Sequence, residues 1–251
     1  MPQKNNIKLW LFLLVLSVIF VGVTIYFTTK KLKEAAARVE TYVIYNYDFA
    51  YYYDGENWSV LDDTSFIPTK QYLVYNGNSL LGKSSASINQ YTRKIGFSIG
   101  EKSYSDLIGI SSNKTIPFES YEIEDLTTED INYLKEYLIS KKETYVGGTT
   151  EVKKLEMDID ADALKENIFE IYYKNDSTVY NYIIIKDDSN TETVVAYSGT
   201  ESETNFKKYS IRLIIDTNLN EKKEILVIED GYEYSILDLY ANQYGTYSLV
   251  E

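Results

Sequence analysis

The sequence contains no cysteine and no histidine, and only 3 prolines in 251 residues. Without cysteine there are no disulfides, thiol nucleophiles or lipidated cysteines, and without histidine there is no imidazole base. The same absences exclude zinc sites of the usual Cys/His kind and Ser-His-Asp catalysis within this chain. P-loop, GxGxxG, GxSxG and HExxH motifs are also missing. Any catalysis would therefore rest on carboxylates, tyrosine, lysine or serine.

Negative charge dominates the sequence, with a formal net charge of −13, but it is unevenly spread. Residues 1–41 hold six basic and two acidic residues, a net +4, which leaves −17 for residues 42–251. A domain this acidic repels nucleic-acid phosphates and anionic lipid headgroups, so no nucleic-acid partner is expected. The charge suits a solvated extracytoplasmic domain or one that collects cations, and solubility alone also accounts for it.

The one long hydrophobic run extends from Ile7 to Thr28, and Lys8 is its only charged residue. A helix rises about 1.5 Å per residue and the hydrocarbon core is about 30 Å thick, so roughly 20 such residues span a bilayer. The run exceeds the roughly 7–15 residues of a signal-peptide core, and the nearest small-residue site, Ala35-Ala36-Ala37, follows three lysines. We therefore predict an uncleaved, single-pass transmembrane helix at 7–28, with the lipid bilayer as its partner.

The flanks of this helix indicate a stalk and an orientation. Thr29 to Val43 contains good helix formers without glycine or proline, which predicts a helix continuing to about Glu40. Basic residues flank the span on both sides, so the positive-inside count is nearly balanced and leans slightly against an external C-terminus. The short N-terminal tail and the absence of cysteine favour a cytoplasmic N-terminus and an extracytoplasmic C-terminal domain at the cell membrane. A long N-terminal helix before a β domain resembles type IV pilins, but the pilin processing signal is missing.

Downstream of residue 41 the pattern predicts a mainly β fold, at the margin of α+β, with antiparallel sheets. Runs of aromatic and β-branched residues alternate with turn signals such as Asp54-Gly55 and Asn76-Gly77 over residues 42–126. Gly147-Gly148 interrupts the pattern and marks a boundary. We therefore predict a β-rich domain of residues 42–146 and a second part of residues 147–251.

One amphipathic helix is predicted at residues 127–141. Thr127 can cap it, and Asp130 stands three residues on, close to a capping box. Its apolar positions are Ile131, Leu134 and Leu138 on one face, with Tyr137 beside them. The helix is expected to pack on a sheet.

Residues 147–251 contain an internal repeat of strand, acidic loop and strand. The copies cover residues 153–173 and 208–230, and equivalent positions are 58 residues apart. Loop positions 1, 3, 5 and 9 carry oxygen-bearing side chains: Asp158, Asp160, Asp162 and Glu166 in the first loop, and Asp216, Asn218, Asn220 and Glu224 in the second. The 1, 3, 5 spacing brings these oxygens to one side of a tight turn, and Ca²⁺ takes about 6–8 oxygen ligands. The loops are therefore candidate cation sites, with acidic turns bonded to their own backbone as the alternative.

This pattern resembles the calcium-binding hairpin loops of FG-GAP and VCBS-type repeats, which occur in integrin propeller blades and many bacterial surface proteins. The resemblance covers roughly residues 152–251 and implies Ca²⁺ as cofactor, with the eight loop residues as ligands. Further strands after each loop predict two blade-like antiparallel units. The family has glycine at loop position 6, whereas this chain has Ala163 and Glu221. A Cβ in the left-handed conformation usual there costs about 1–2 kcal/mol, so both loops are degenerate versions of the pattern.

These features favour a non-enzymatic, membrane-anchored surface or assembly protein with a β-rich ectodomain stabilised by calcium. Such a protein would bind a protein partner or form homo-oligomers at the cell surface. One alternative is a subunit of a membrane, secretion or pilus-like complex. A second alternative is a carbohydrate-binding or carboxylate-based glycan-active protein, with Trp58, Tyr51 and Tyr53 as stacking platforms for sugar rings.

Overall fold

The computed structural model divides the chain into two compact units, residues 1–39 and residues 40–251. The residues that the structure describes are 16–17, 20–21, 23–31, 37–45, 50–61, 65–92, 94–104, 107–140, 149–174, 179–187, 191–200, 206–243 and 245–251. The strands described all belong to the second unit.

In the first unit, the described residues between 16 and 31 are helical and exposed. Thr24, Thr28 and Thr29 donate their hydroxyls to carbonyl oxygens four residues earlier, at 2.7–2.8 Å. Within the described part of the chain, no helix is both long and apolar enough to cross a membrane. Much of the predicted span, 7–28, and part of the predicted stalk lie outside the described residues.

The largest sheet of the second unit has eight strands. Their bounds are Thr41–Tyr45 (β1), Ala50–Tyr53 (β2), Trp58–Leu61 (β3), Gln71–Tyr75 (β4), Leu80–Ile88 (β5), Ile95–Ile99 (β6), Lys102–Tyr104 (β7) and Ile108–Ser112 (β8). They lie in the order β3-β2-β1-β8-β4-β5-β6-β7. The turns predicted at Asp54-Gly55 and Asn76-Gly77 are confirmed, because β2 pairs with β3 and β4 with β5 across them.

Two smaller sheets follow. The five-stranded sheet contains Ile123–Glu124 (β9), Thr149–Met157 (β10), Glu166–Lys174 (β11), Val179–Lys186 (β12) and Glu192–Thr200 (β13). The four-stranded sheet contains Lys208–Ile215 (β14), Glu224–Gly231 (β15), Tyr234–Gln243 (β16) and Thr246–Leu249 (β17). In both of these sheets, strands that follow one another in the chain pair antiparallel, and the helix lies in the chain between the paired strands β9 and β10. The prediction of a mainly β, antiparallel fold is confirmed.

The predicted helix is present as Thr128–Ser140 (α1). Its capping box is present as well. Thr127 Oγ1 accepts the main-chain N–H of Asp130 at 3.1 Å, and Asp130 Oδ2 accepts the N–H of Thr127 at 2.9 Å. Asp130 Oδ2 also accepts the buried ammonium of Lys154 at 3.1 Å, which ties the start of α1 to β10.

One face of α1 covers the five-stranded sheet, as predicted. Leu134, Tyr137 and Leu138 are buried there against residues such as Phe169. Ile131, however, is 40% exposed, so its predicted place on the buried face was wrong. It lies in the first turn, at the rim of the face that the other three residues define.

The sheets stack in layers, with the four-stranded sheet in the middle. One of its faces, with Leu226 and Ile228, packs on the eight-stranded sheet. The other face, with Ile225 and Val227, packs on the five-stranded sheet, whose outer face is covered by α1. Strand β15 is therefore buried on both sides, which explains its unbroken apolar run.

The predicted boundary at Gly147-Gly148 lies outside the described residues. The core between the eight-stranded and four-stranded sheets joins residues from before and after it, such as Val43 and Leu226. The division into residues 42–146 and 147–251 stays a prediction.

Candidate metal centre

The two predicted acidic loops occupy equivalent places in two hairpins. Residues 158–165 connect β10 with β11, and Met157 lies opposite Glu166 where the hairpin closes. Residues 216–223 connect β14 with β15, and Ile215 lies opposite Glu224. The acid at loop position 9 is therefore the first residue of the returning strand in both hairpins.

In the first loop, the acids at positions 1 and 9 bind main-chain N–H groups of the loop itself. Glu166 Oε2 accepts the N–H of Ile159 at 2.8 Å. The two carboxylate oxygens of Asp158 accept the N–H groups of Ala161 at 2.8 Å and Ala163 at 3.1 Å. These bonds fold the loop around its first and last acids.

The second loop makes similar contacts, although one bond to its position-1 acid comes from position 5 instead of position 4. Glu224 Oε2 accepts the N–H of Thr217 at 2.8 Å. Asp216 accepts the N–H groups of Asn220 at 3.2 Å and Glu221 at 3.0 Å. The two loops thus share the bond made by the position-9 acid and the bond from position 6 to the position-1 acid.

Position 5 of each loop binds the backbone that follows it. Asp162 Oδ1 accepts the N–H of Leu164 at 2.8 Å, and Asn220 Oδ1 accepts the N–H of Lys222 at 2.9 Å. Both position-5 residues are exposed. These two predicted ligands act as turn caps in this structure.

The backbone is left-handed at two positions of each loop. At position 6, φ is 70° for Ala163 and 73° for Glu221, so the conformation expected there is present although glycine is missing. Position 4 is also left-handed, with φ of 68° for Ala161 and 59° for Leu219, which the sequence did not indicate. The hydrogen bonds to the position-1 acids offset the strain of these non-glycine residues.

The loops differ at position 3, which is Asp160 in the first loop. Carboxylate oxygens of Asp158, Asp160 and Glu166 lie within 4.8 Å of one another. Asp160 Oδ1 is shielded from solvent and accepts no hydrogen bond from any residue that the structure describes. Ca²⁺ binds oxygens at about 2.3–2.6 Å, so oxygens around one ion lie at most about 5 Å apart. The first loop therefore has the oxygen spacing that a hard cation requires.

In the second loop, position 3 is Asn218 and the acids are bonded within the chain. Asn218 Nδ2 donates to Glu224 Oε1 at 2.6 Å, and Asn218 Oδ1 accepts the N–H of Asn220 at 3.1 Å. Thr217 Oγ1 donates to Glu224 Oε2 at 2.6 Å. Both oxygens of Glu224 thus have donors, and the loop is held closed by its own side chains.

Burial shifts the pKa of the position-9 acid in the same direction in both loops. Burial raises the pKa of Glu166, and the negative charges of Asp160 and Asp162 raise it further. The hydrogen bond from the main-chain N–H of Ile159 lowers it, but by less. Burial raises the pKa of Glu224 to about 7, although the bonds from Thr217 lower it. The charged forms of these acids are therefore costly unless a cation or a proton is present.

The two loops contact each other directly. The Lys223 ammonium donates to the main-chain oxygen of Asp158, and the N–H of Lys223 donates to the oxygen of Ile159 at 2.8 Å. The hydroxyl of Tyr247 lies 3.0 Å from the oxygen of Ile159 and 3.1 Å from that of Lys223. Sequence reasoning missed Lys223 and Tyr247, because this contact depends on the stacking of two sheets and no local pattern encodes it.

The three aromatic residues named for sugar stacking do not share one environment. Tyr51 is buried and donates its hydroxyl to the oxygen of Leu237 at 2.8 Å, so its prediction as an exposed platform was wrong. Tyr51 points from β2 towards the four-stranded sheet, as one member of an alternating strand must. Tyr53 and Trp58 are half-buried, with ring centroids 5.2 Å apart.

The fold and the loops together define a class, an acidic antiparallel β protein with a candidate cation loop. Comparisons with protein-family models, with curated proteins and with solved structures gave no match. The resemblance to FG-GAP and VCBS-type loops therefore rests on the loop residues alone.

Proposed function

We propose that this chain is a single-pass membrane-anchored, non-enzymatic surface protein whose first acidic loop holds a Ca²⁺ ion that stabilises the β domain. One observation carries the proposal. Asp160 Oδ1 lies shielded and without a donor among the described residues, close to carboxylate oxygens of Asp158 and Glu166. A buried carboxylate oxygen without a partner is costly, and one hard cation would satisfy all three acids together.

Calcium fits this loop better than other common metals do. The donors are carboxylate oxygens, and the chain has no histidine or cysteine to offer zinc. Mg²⁺ demands near-ideal octahedral geometry, whereas Ca²⁺ accepts irregular sets of oxygens that include main-chain carbonyls and water. In this proposal the second loop keeps the same shape without an ion, because the Asn218 amide bonds Glu224.

The membrane part of the proposal rests on the sequence. Residues 7–28 supply enough apolar length to span a bilayer. The strong negative charge of residues 42–251 suits a solvated domain away from anionic lipid headgroups.

Calcium is expected to raise the melting temperature of the full-length chain in detergent micelles, compared with chelator. Extracellular calcium modules bind with Kd of about 10⁻⁴–10⁻³ M. At about 2 mM Ca²⁺ this corresponds to about 0.6–1.8 kcal/mol of added stability, or a few degrees of melting temperature. Thermal unfolding monitored by circular dichroism measures the shift.

Two variants make this measurement specific. Asp160→Ala removes a proposed calcium ligand whose Oδ1 accepts no hydrogen bond from a described residue. This variant is expected to lose the calcium-induced rise in melting temperature. Glu136→Ala removes one negative charge from the exposed side of α1 and is expected to retain the shift. A wild-type melting temperature that ignores millimolar Ca²⁺ would contradict the proposed ion site.

Protease added to intact cells is expected to digest the β domain, because the proposal places residues 40–251 outside the membrane. The full-length chain should sediment with membranes, and a chain that lacks residues 1–31 should not. Immunoblotting against a C-terminal epitope, with lysed cells as the control for cleavability, measures both results. A β domain that is protected in intact cells but cleaved after lysis would overturn the orientation.

A further inference from the structure

A separate groove lies where the β2–β3 hairpin meets the second acidic loop. It encloses about 280 Å³, close to the lower end of small-ligand pockets. Two aromatic rings and four side-chain amides line it: Tyr53, Trp58, Asn57, Asn218, Asn220 and Asn242. The groove thus brings together residues that are far apart in the sequence.

The aromatic residues form one side of the groove. Tyr53 and Trp58 are directly opposite each other on β2 and β3, and their rings are tilted by 42°. The indole N–H of Trp58 is shielded and finds no acceptor among the described residues, so the ring keeps an unused donor. Aromatic rings with a polar handle suit ligands that present both apolar C–H groups and hydroxyls.

The amides form the other side, and part of their bonding capacity is unused. Asn220 uses its amide oxygen for the N–H of Lys222, while its amide nitrogen has no bond to a described residue. Asn57 is exposed, and only its main-chain groups bond to Asp54. Amides both donate and accept, as sugar hydroxyls do, and they carry no charge.

The charges around the groove exclude anionic ligands. Among the described residues, Glu56 is the only charged one that lines the groove, and no described lysine or arginine lines it. Burial is the main cause of the raised pKa of Tyr53, and the nearby negative charges of Glu224 and Asp54 raise it further. The electrostatic potential is therefore negative on the Tyr53 side of the groove. Phosphates, uronic acids and nucleic acids would be repelled.

We infer that this groove binds a short stretch of a neutral oligosaccharide, with Trp58 and Tyr53 against a sugar ring and the amides of Asn57 and Asn220 bonded to its hydroxyls. This inference goes beyond the proposed function and does not depend on an ion in the first loop. It uses the second hairpin, whose loop is closed by its own side chains.

Fluorescence offers a direct test, because the chain has only 2 tryptophans, Trp10 and Trp58. In a Trp10→Phe variant of the full-length chain, all tryptophan emission comes from Trp58. The variant is kept in a detergent without a sugar headgroup and titrated with cellotetraose, mannotetraose and chitotetraose. At least one of these neutral sugars is expected to change the emission saturably at up to millimolar concentration, whereas tetragalacturonate and choline leave it unchanged.

A matched pair of variants locates the binding. Asn57→Ala in the same background is expected to weaken the sugar about fivefold, the loss typical of one neutral hydrogen bond. Asn132→Ala, on the exposed side of α1, is expected to leave the affinity unchanged. Asp160→Ala should also leave it unchanged, so failure of the calcium site and failure of the groove give different results.

Three outcomes would overturn the inference. One is the absence of binding by all three neutral sugars, both in fluorescence and in ligand-observed NMR of the folded protein. Another is an equal affinity of the Asn57→Ala and Asn132→Ala variants. The third is binding of choline or tetragalacturonate in preference to the neutral sugars.

Discussion

Exchanging the position-3 residues is expected to move calcium dependence from the first hairpin to the second. In Asp160→Asn the new amide can donate to Glu166, as Asn218 donates to Glu224 in the second loop. This change removes an Asp160 carboxylate oxygen that is shielded and accepts no hydrogen bond from a described residue. It also removes one of the negative charges that lie close together in the first loop. We expect the free energy of unfolding in chelator to rise by about 1–2 kcal/mol and the calcium effect to be largely lost.

The reverse change, Asn218→Asp, is expected to have the opposite sign. It deletes the donor to Glu224 Oε1 and adds a third carboxylate beside Asp216 and Glu224. Leaving a buried charged acceptor unpaired costs about 1–3 kcal/mol or more, so stability in chelator should fall by about 2–3 kcal/mol. Calcium should restore part of this loss, because the loop then has the acid set of the first one.

The double exchange Asp160→Asn/Asn218→Asp provides the control. It has the composition and net charge of the parent chain, so only the position of the carboxylate changes. Denaturant unfolding with calcium and with chelator measures all four proteins. If Asn218→Asp is as stable as the parent in chelator, the amide of Asn218 does not have the role assigned to it.

Stability is also expected to fall as the pH rises from about 5 to about 7. Burial raises the pKa of Glu224 to about 7 in the folded chain, against about 4.5 in the unfolded chain. The folded state therefore binds more protons in this range, and the free energy of unfolding decreases with pH. For Glu224, which is 1% exposed, the difference corresponds to about 3 kcal/mol.

Other buried acids modify this dependence. Burial, with the charge of Glu229 as a second cause, raises the pKa of Asp238 to about 6, which adds to the same trend. Glu229 itself has a lowered pKa, because bonds from Lys207 and two tyrosines outweigh its burial. The stability that Glu229 contributes is lost only below the pKa that it has in the unfolded chain. Glu229 therefore does not reverse the fall in stability above pH 5.

Glu224→Gln identifies the group responsible. In this variant, the free energy of unfolding is expected to fall less between pH 5 and 7. The readout is the slope of this free energy with pH, because the new amide also changes the bond to Asn218 and hence the absolute stability. Glu136→Gln on the exposed side of α1 should retain the slope of the parent. Urea unfolding at several pH values, in chelator, gives the slopes. A Glu224→Gln slope equal to that of the parent would assign the dependence to other acids.

The sequence predicted the features that local chemistry determines. The cap at Thr127, the turn at Asp54-Gly55 and the left-handed position 6 each follow from a few neighbouring residues. The exposure of Ile131 and the burial of Tyr51 did not follow, because they depend on which layer covers each face. The groove between Trp58 and Asn218 could not be predicted either, since its two sides come from different sheets and local periodicity carries no information on their docking.

The position of the four-stranded sheet also affects how the protein is made. Residues 208–251 are synthesised after the strands of the other two sheets, yet they form the middle layer between those sheets. Until these residues emerge, the inner faces of the eight-stranded and five-stranded sheets have no partner, and a nascent chain must keep them from aggregating. Emergence of the four-stranded sheet, rather than completion of either earlier sheet, is therefore the step that lets both inner faces become buried.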